Sequence, residues 1–336
     1  MILVTGGAGF LGSEVNRLLA LRGEHVRVLV LPGDPLAARL PENVEVCFGD
    51  LLSDEDLDRF FQLRDHQPLT VIHCAGLITM SMKPVHRVYR VNVMGTQRII
   101  NHCLAHGVGH LIHVASVHAI PELLQGQVMA EPDGMDPDAA VGYYAKTKAQ
   151  AAALVMDARR KQGLRASIVY PAGLCGPGDY ARGNLTQMFL DYMDGGIPLG
   201  VKGGYNFADV RDVARAIVTL ALSGRAGEDY VMAGEYISIM KILQTFQEVT
   251  GGRKVTAVCP VWLARAALPL LSWVYKLRKV KPIFSAYSLY TIASNSLFSS
   301  KKARDDLGYR PRPIRQTLRD TANWLMAQKK LVLSPD

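Results

Sequence analysis

The chain has 336 residues, 49% of them hydrophobic and 20% charged, an ordinary globular balance with room for a large core and two interleaved domains. Five scattered cysteines, at positions 47, 74, 103, 175 and 259, offer neither a disulfide framework nor a close Cys-x-x-Cys pair for zinc. The net charge of +8 is concentrated at one end: residues 276–336 carry thirteen Lys and Arg against four Asp, which leaves the rest near neutral and argues against nucleic acid as the partner.

Residues 1–5 are an apolar run suited to a buried parallel strand. Starting so close to a glycine turn, they leave no room for a charged leader and signal core, and a cytoplasmic location with reduced thiols is expected. Gly6, Gly9 and Gly12 then open a helical pattern reaching about Leu21. Strand, glycine turn and helix in that order make a dinucleotide site: the first two glycines admit a pyrophosphate to the helix N-terminus, and the third permits close helix packing.

A second strand is expected over 25–31. An acid at its end would select NAD and an arginine NADP, whereas this chain offers Val30 and Leu31. The following loop, with Asp34, Arg39 and Glu42, is net acidic and favours NAD(H) over NADP(H). Strands are also expected over 44–48, ending in Gly49, Asp50 and Leu51, and over 69–73, ending in Cys74, Ala75 and Gly76. Asp50 is placed either to accept a bond from an adenine amino group or to cap the helix that begins near Asp54. The Met-rich stretch 77–82 reads as a pocket wall.

A helix is expected over 91–105. His102, His106 and His110 follow at i, i+4 and i+8, a spacing that could ligate a metal, but no carboxylate accompanies them; a solvated helix end is expected and no metal site. The strand 110–116 delivers Ser116 just past its end. Glu131, Asp133, Asp136 and Asp138 form an acidic loop read as solvated and part of a lid.

Tyr144 and Lys148 come next, on a helix over 143–160. Four residues apart, they share a face. A phenol titrates near 10, too high for proton transfer at neutral pH; a cation beside it favours the phenolate, so Lys148 is expected to hold the value down. Tyr144 then becomes a usable acid or base, with Ser116 bonding the substrate oxygen. A strand over 166–170 runs into the turn formers Pro171 to Gly178. A helix over 210–222 and a last strand over 229–232 return to the cofactor sheet.

In this order the motifs Thr5-Gly-Gly-Ala-Gly-Phe-Leu-Gly12, Gly49-Asp50-Leu51, His73-Cys-Ala-Gly76, Asn92-Val-Met-Gly-Thr96, Ser116, Tyr144-Ala-Lys-Thr-Lys148, Gly176-Pro-Gly-Asp179 and Lys302-Ala-Arg-Asp-Asp-Leu-Gly-Tyr-Arg-Pro311 resemble those of an extended short-chain dehydrogenase/reductase. The resemblance implies an α/β fold: a Rossmann-type doubly wound parallel sheet, from residues 1–170 and 205–235, interleaved with a smaller C-terminal substrate domain from 171–204 and 236–336. It implies catalysis by Ser116, Tyr144 and Lys148. Contacts to a nicotinamide cofactor fall on Gly6, Gly9, Phe10, Leu11, Gly12, Asp50, Leu51, Ala75, Gly76, Tyr144, Lys148 and Pro171, and substrate contacts on Met80, Ser116, Leu174 and Tyr205. A homodimer packed through helices near 95–105 and 144–158 is implied too, with Asn92 supporting the site.

Departures narrow the branch. Nucleotide-sugar epimerases and dehydratases in this frame carry arginines where this chain has Tyr205 and Tyr170, and a diphosphate without bidentate arginine partners is poorly held. The stretch Asp209-Val-Arg-Asp-Val-Ala214 is instead similar to the dihydroflavonol reductase and 3β-hydroxysteroid dehydrogenase branch. The expected activity is interconversion of a secondary alcohol and a ketone on a hydrophobic small molecule. The alternatives are a nucleotide-sugar epimerase or dehydratase and a cofactor-sensing protein without chemistry.

Residues 255–275 are nearly all apolar, with Arg265 midway and Pro260 and Pro269, too interrupted for a transmembrane span. Lys276, Arg278, Lys279 and Lys281 follow. Two readings stand: a cap helix closing over the site, or peripheral contact of 255–281 with an anionic membrane.

Overall fold

The computed structural model describes residues 1–62, 68–278 and 285–333. Its centre is a seven-stranded, all-parallel sheet. Strand β1 (Ile2–Thr5) leads through the glycine turn into α1 (Phe10–Leu21), then β2 (Val26–Val30) and β3 (Glu45–Phe48). Ser53 caps α2 (Asp54–Phe61), accepting a bond from Asp56 N, and β4 (Thr70–His73) follows. A short helix α3 (His86–Tyr89) passes through a π-helical turn, Arg90–Met94, into α4 (Gly95–Ala105) and β5 (His110–Val114). Helix α5 (Tyr143–Gln162) and β6 (Ala166–Pro171) complete this half.

The chain then leaves the sheet through β7 (Gly173–Cys175), α6 (Asn184–Met193), β8 (Gly200–Val201) and β9 (Gly204–Asp209). Helix α7 (Val210–Ser223) and β10 (Tyr230–Met232) return to it. The last part holds β11 (Glu235–Ser238), α8 (Ile239–Thr250), β12 (Val258–Cys259), α9 (Val261–Arg278), α10 (Ala286–Thr291), α11 (Lys301–Leu307) and α12 (Ile314–Leu333).

Strand order in the main sheet is β10-β6-β5-β4-β1-β2-β3. The order reverses between β1 and β4, and beyond the carboxyl ends of strands at such a reversal a ligand crevice opens. Helices cover both faces, so the strands other than the edge strand β3 are buried on both sides and read as near-continuous apolar runs. One face packs Leu57, Phe60, Ile99, Val155 and Ile168. The other packs Val15, Leu19, Val28, Val213 and Ile217. The expected Rossmann-type sheet is therefore present, with strand ends within a residue or two of their predicted positions.

The smaller part is built on the sheet β11-β9-β7, the pair β12-β8, and a core in which Phe189 and Phe246 stack at 3.8 Å beside Ile242, Ile314 and Leu318. Its boundaries differ from the expected ones. Strand β9 belongs to this smaller sheet, while residues 301–309 return to the main one, where Ala303, Leu307 and Tyr309 fill the core beside α7.

Other expectations change too. The helix expected from Val91 starts at His86. His106 lies at an exposed helix end as expected, but His102 is buried and stacks on Phe61 at 5.2 Å, and His110 turns away to bond Ser167 Oγ at 3.0 Å. In the acidic loop Asp133, Asp136 and Asp138 are exposed, but Glu131 accepts a 2.7 Å bond from Val231 N on the edge strand β10. No described helix is long and apolar enough to cross a membrane. Lys279 and Lys281 lie outside the described residues.

Candidate active site

The glycine turn is shaped by close approach. Gly6 has φ 66°, and a Cβ there would lie 2.6 Å from the backbone of Ala75; a Cβ on Gly12 would lie 2.3 Å from Gly6 O. Side chains at either position would fill the space that lets β1, α1 and the end of β4 converge. Helix α1 begins at Gly9 with no side-chain cap and no acid in its first turn, so its leading N–H groups are left for an anion. These features fit the pyrophosphate of a dinucleotide.

The residues around the turn divide. Phe10 is half-buried, Leu11 is buried against the core and Leu51 packs on Gly95. Asp50 is exposed and does not cap α2; its Oδ1 accepts from Leu52 N at 2.9 Å. Gly76 lies against the Lys148 amine, where a Cβ would come within 3.1 Å of Nζ. Pro171 ends β6, buried and paired with Met232. Past β2, Leu31 is exposed, Asp34 caps its own turn through Leu36 N at 2.9 Å, and Arg39 lies 3.7 Å over the Tyr180 ring. Asp34 and Arg39 are thus engaged locally.

Ser116, Tyr144 and Lys148 converge at the ends of β5 and α5. Ser116 follows β5 in extended backbone, its hydroxyl accepts from His118 N at 3.3 Å, and it faces the Tyr144 phenol closely enough to favour the phenolate. Lys148, buried on the next turn of α5, donates from Nζ to Val114 O at 2.8 Å. Asn92, brought inward by the π-helical turn, accepts from Leu77 N at 2.7 Å and donates to Leu77 O at 2.9 Å and Thr147 Oγ1 at 3.0 Å. It ties the loop after β4 to α5.

The electrostatics overturn one expectation. Burial pushes the Tyr144 phenol up to about 12, and the Ser116 hydroxyl only partly offsets it. Burial likewise pulls Lys148 down to about 8. The lysine does not hold the phenol low in this arrangement: burial dominates the phenol, and the ammonium is engaged with Val114 O.

Aromatic rings wall the site. His118, two residues past Ser116, stacks on Tyr205 at 5.2 Å with an interplanar angle of 8°, bonds its hydroxyl through Nε2 at 3.1 Å, and meets Tyr144 edge-on at 6.1 Å. Burial lowers His118 to about 4, so the ring is neutral at physiological pH. Tyr287 of α10 completes the wall at 5.8 Å from His118. Its ring lies over Gly142, just before α5, where φ is 92° and a Cβ would clash at 2.2 Å. Tyr290 bonds Glu122, and a narrow cavity of about 40 Å³ opens beside them, bounded by His118, Met129, Tyr205 and Phe298.

The residues named from sequence as substrate contacts fall in different places. Ser116 and Tyr205 reach the wall. Met80 is half-buried in a loop that crosses the start of α5, where Ser81 O accepts from Tyr143 N at 3.1 Å. Leu174 instead packs into the core beside α1 and α7. Tyr170, at the other expected arginine position, is wholly buried in the core. His118 and Tyr287 were not legible: neither carries a motif, and one comes from a helix distant in sequence.

The model of the NAD dependent epimerase/dehydratase family matches residues 2–233. The chain belongs to that family. Among its relatives, sterol demethylase protein B of Methylococcus capsulatus is 30% identical over 328 residues, covering 96% of this chain and 97% of its own. A putative dihydroflavonol 4-reductase of Synechocystis is 29% identical, covering 96% of this chain and 93% of its own. The crystal structure of gox2253 superposes with a TM-score of 0.82 at 29% identity, covering 98% of both chains. The resemblance to extended short-chain dehydrogenases/reductases is borne out, and the NAD-dependent character of the family agrees with the glycine turn.

Proposed function

We propose that the protein interconverts a secondary alcohol and a ketone on a hydrophobic, ring-containing small molecule. The observation that carries this reading is the meeting of Ser116, Tyr144 and Lys148 beside an aromatic wall that includes Tyr205, where a diphosphate would need arginine; the second such position, 170, is also tyrosine and lies in the core. Relatives named for a sterol and for a dihydroflavonol support a flat, fused-ring substrate.

When bound, the nicotinamide gives or takes the hydride. This chain handles the oxygen and the proton. In reduction, Ser116 and the Tyr144 phenol bond the carbonyl oxygen and Tyr144 gives up its proton; in oxidation Tyr144 takes it back. Lys148 stands on the next turn of α5, held by Val114 O, and His118 and Tyr205 wall the site beside Tyr144. NAD is the proposed cofactor, since Leu31 offers no cation to a 2′-phosphate. Two copies paired through α4 and α5 are the proposed assembly.

The family description keeps the nucleotide-sugar epimerase reading in play. One experiment separates the two: initial rates at 340 nm with NADH and NADPH against a steroid ketone, a dihydroflavonol, an aromatic ketone and a UDP-sugar. Oxidation of reduced cofactor by a ring ketone is expected. Conversion of the UDP-sugar without net cofactor change, followed by chromatography, would favour the epimerase instead. Replacing Tyr144 by Phe should lower ketone turnover at least about a hundredfold and leave cofactor binding, measured by fluorescence titration, intact. Undiminished turnover in that variant would remove Tyr144 from the mechanism.

A further inference from the structure

We infer that the exposed start of α9 docks on an anionic lipid surface, an inference resting on the lipophilic substrate proposed above. Helix α9 has two unlike faces. Val261, Ala264 and Leu268 pack with Val201, Leu289 and Ile292. Away from them, Trp262 is 70% exposed and Leu263 45%, and Val258 just before the helix is 48% exposed. A bare tryptophan ring beside two bare aliphatic chains is costly in water, and it is the combination that partitions into the headgroup region of a bilayer.

Charge selects the kind of surface. Residues 251–304 contain ten Lys and Arg and no Asp or Glu. Arg253, Lys254 and Arg265 flank the apolar residues, are exposed, and form no ion pair among the described residues. Lys329 and Arg315, by contrast, meet Asp194 and Glu248. A cationic rim around an apolar tip attracts anionic headgroups while the tip inserts. A nucleic acid would satisfy the rim and leave Trp262 and Leu263 in water. With no described helix able to span a membrane, the contact is peripheral.

Position gives the contact a purpose. Leu289 and Ile292 of α10 and the segment after it form the seat of α9, while Tyr287 and Tyr290 of the same helix face His118 and Glu122. A single helix therefore separates the lipid-facing tip from the aromatic wall. A hydrophobic substrate drawn from the bilayer has a short route to Tyr144.

The test is co-sedimentation of the full chain with phosphatidylcholine vesicles, with and without phosphatidylglycerol, in the absence of substrate and cofactor, so that it succeeds or fails independently of the alcohol–ketone assay. Wild-type protein should pellet with the anionic vesicles at least about fivefold more strongly than with the zwitterionic ones, roughly the factor one basic residue supplies. The double variant Trp262→Ser, Leu263→Ser should lose that binding with its melting temperature unchanged, and Trp262→Phe should keep it. Three results would overturn the inference: no preference for anionic vesicles; undiminished binding by the double variant together with displacement by duplex DNA, which marks a general polyanion site; or a wild-type dimer in gel filtration that the double variant breaks, which assigns the face to a second copy of the chain.

Discussion

At the scale of single residues, the site turns on where the proton of Tyr144 resides. With burial pushing the phenol up to about 12, it is protonated throughout the neutral range, ready to donate in reduction and slow to accept in oxidation. Alcohol oxidation should therefore climb with pH, by up to about tenfold per unit below that value, while ketone reduction shows no matching rise. Steady-state pH profiles in both directions check this. A flat oxidation profile would mean that Lys148 does lower the phenol once the site is filled, as the Tyr-x-x-x-Lys spacing alone suggests. Ser116, Tyr144 and Lys148 were legible because each stands at an element end with a fixed spacing. His118 was not, since its importance comes from stacking on Tyr205, a contact across 87 residues.

At the scale of elements, the π-helical turn before α4 does most to position the site. Thr96 donates to Asn92 O at 2.7 Å and so accepts from His73 Nε2 at 3.0 Å, which leaves His73 Nδ1 to accept from Thr5 Oγ1 at 2.6 Å. That chain fixes the turn against β1 and β4, and the Asn92 amide in turn fixes Leu77 and α5. Asn92→Ala should strand the Leu77 N–H and carbonyl at a cost of about 1–3 kcal/mol, seen as a lower melting temperature, and should lower kcat as α5 loses its tie. A variant with unchanged stability and kcat would show that the turn holds without the amide. The parallel strands were readable because burial on both faces leaves little but Val, Ile and Leu in them. The wide turn was not, because one extra residue per turn leaves no mark in the apolar spacing. At the start of α9 the apolar residues divide between seat and solvent, a split that the run of apolar residues in the sequence does not show.

At the scale of the molecule, the two parts are joined by buried charge. Arg211 bonds Asp209 at 2.7 Å and Asp320 of α12 at 2.6 Å, and Arg312 bonds Asp212 at 2.7 Å. The family motif around Asp209 thus clamps α7 to the C-terminal helix, well away from the substrate. Burial raises the Asp209 carboxyl, but the bonds from the Arg211 guanidinium and Arg211 N win, so its pKa is lowered below the ordinary carboxylate value. A depressed carboxylate contributes stability that is fully present above its unfolded pKa and lost as pH falls through the folded one. The melting temperature should therefore hold steady above about pH 5 and drop below about pH 4. Arg211→Met, which leaves a buried carboxylate short of its partner, should cost about 3 kcal/mol and flatten that acid limb; thermal melts across pH check both.

The carboxylate of Glu131 has a role that extends beyond its own loop. Strand β10 is the last in the row and pairs on one side only, so its other side is a row of unmet donors and acceptors of the kind that recruits strands from other molecules. Glu131 occupies the Val231 N–H on that open side, and Ser300 bonds the Ala233 carbonyl just beyond it. The loop read from sequence as solvent-facing works as a stopper at this edge, keeping crowded copies of the protein from adding a strand beside β10.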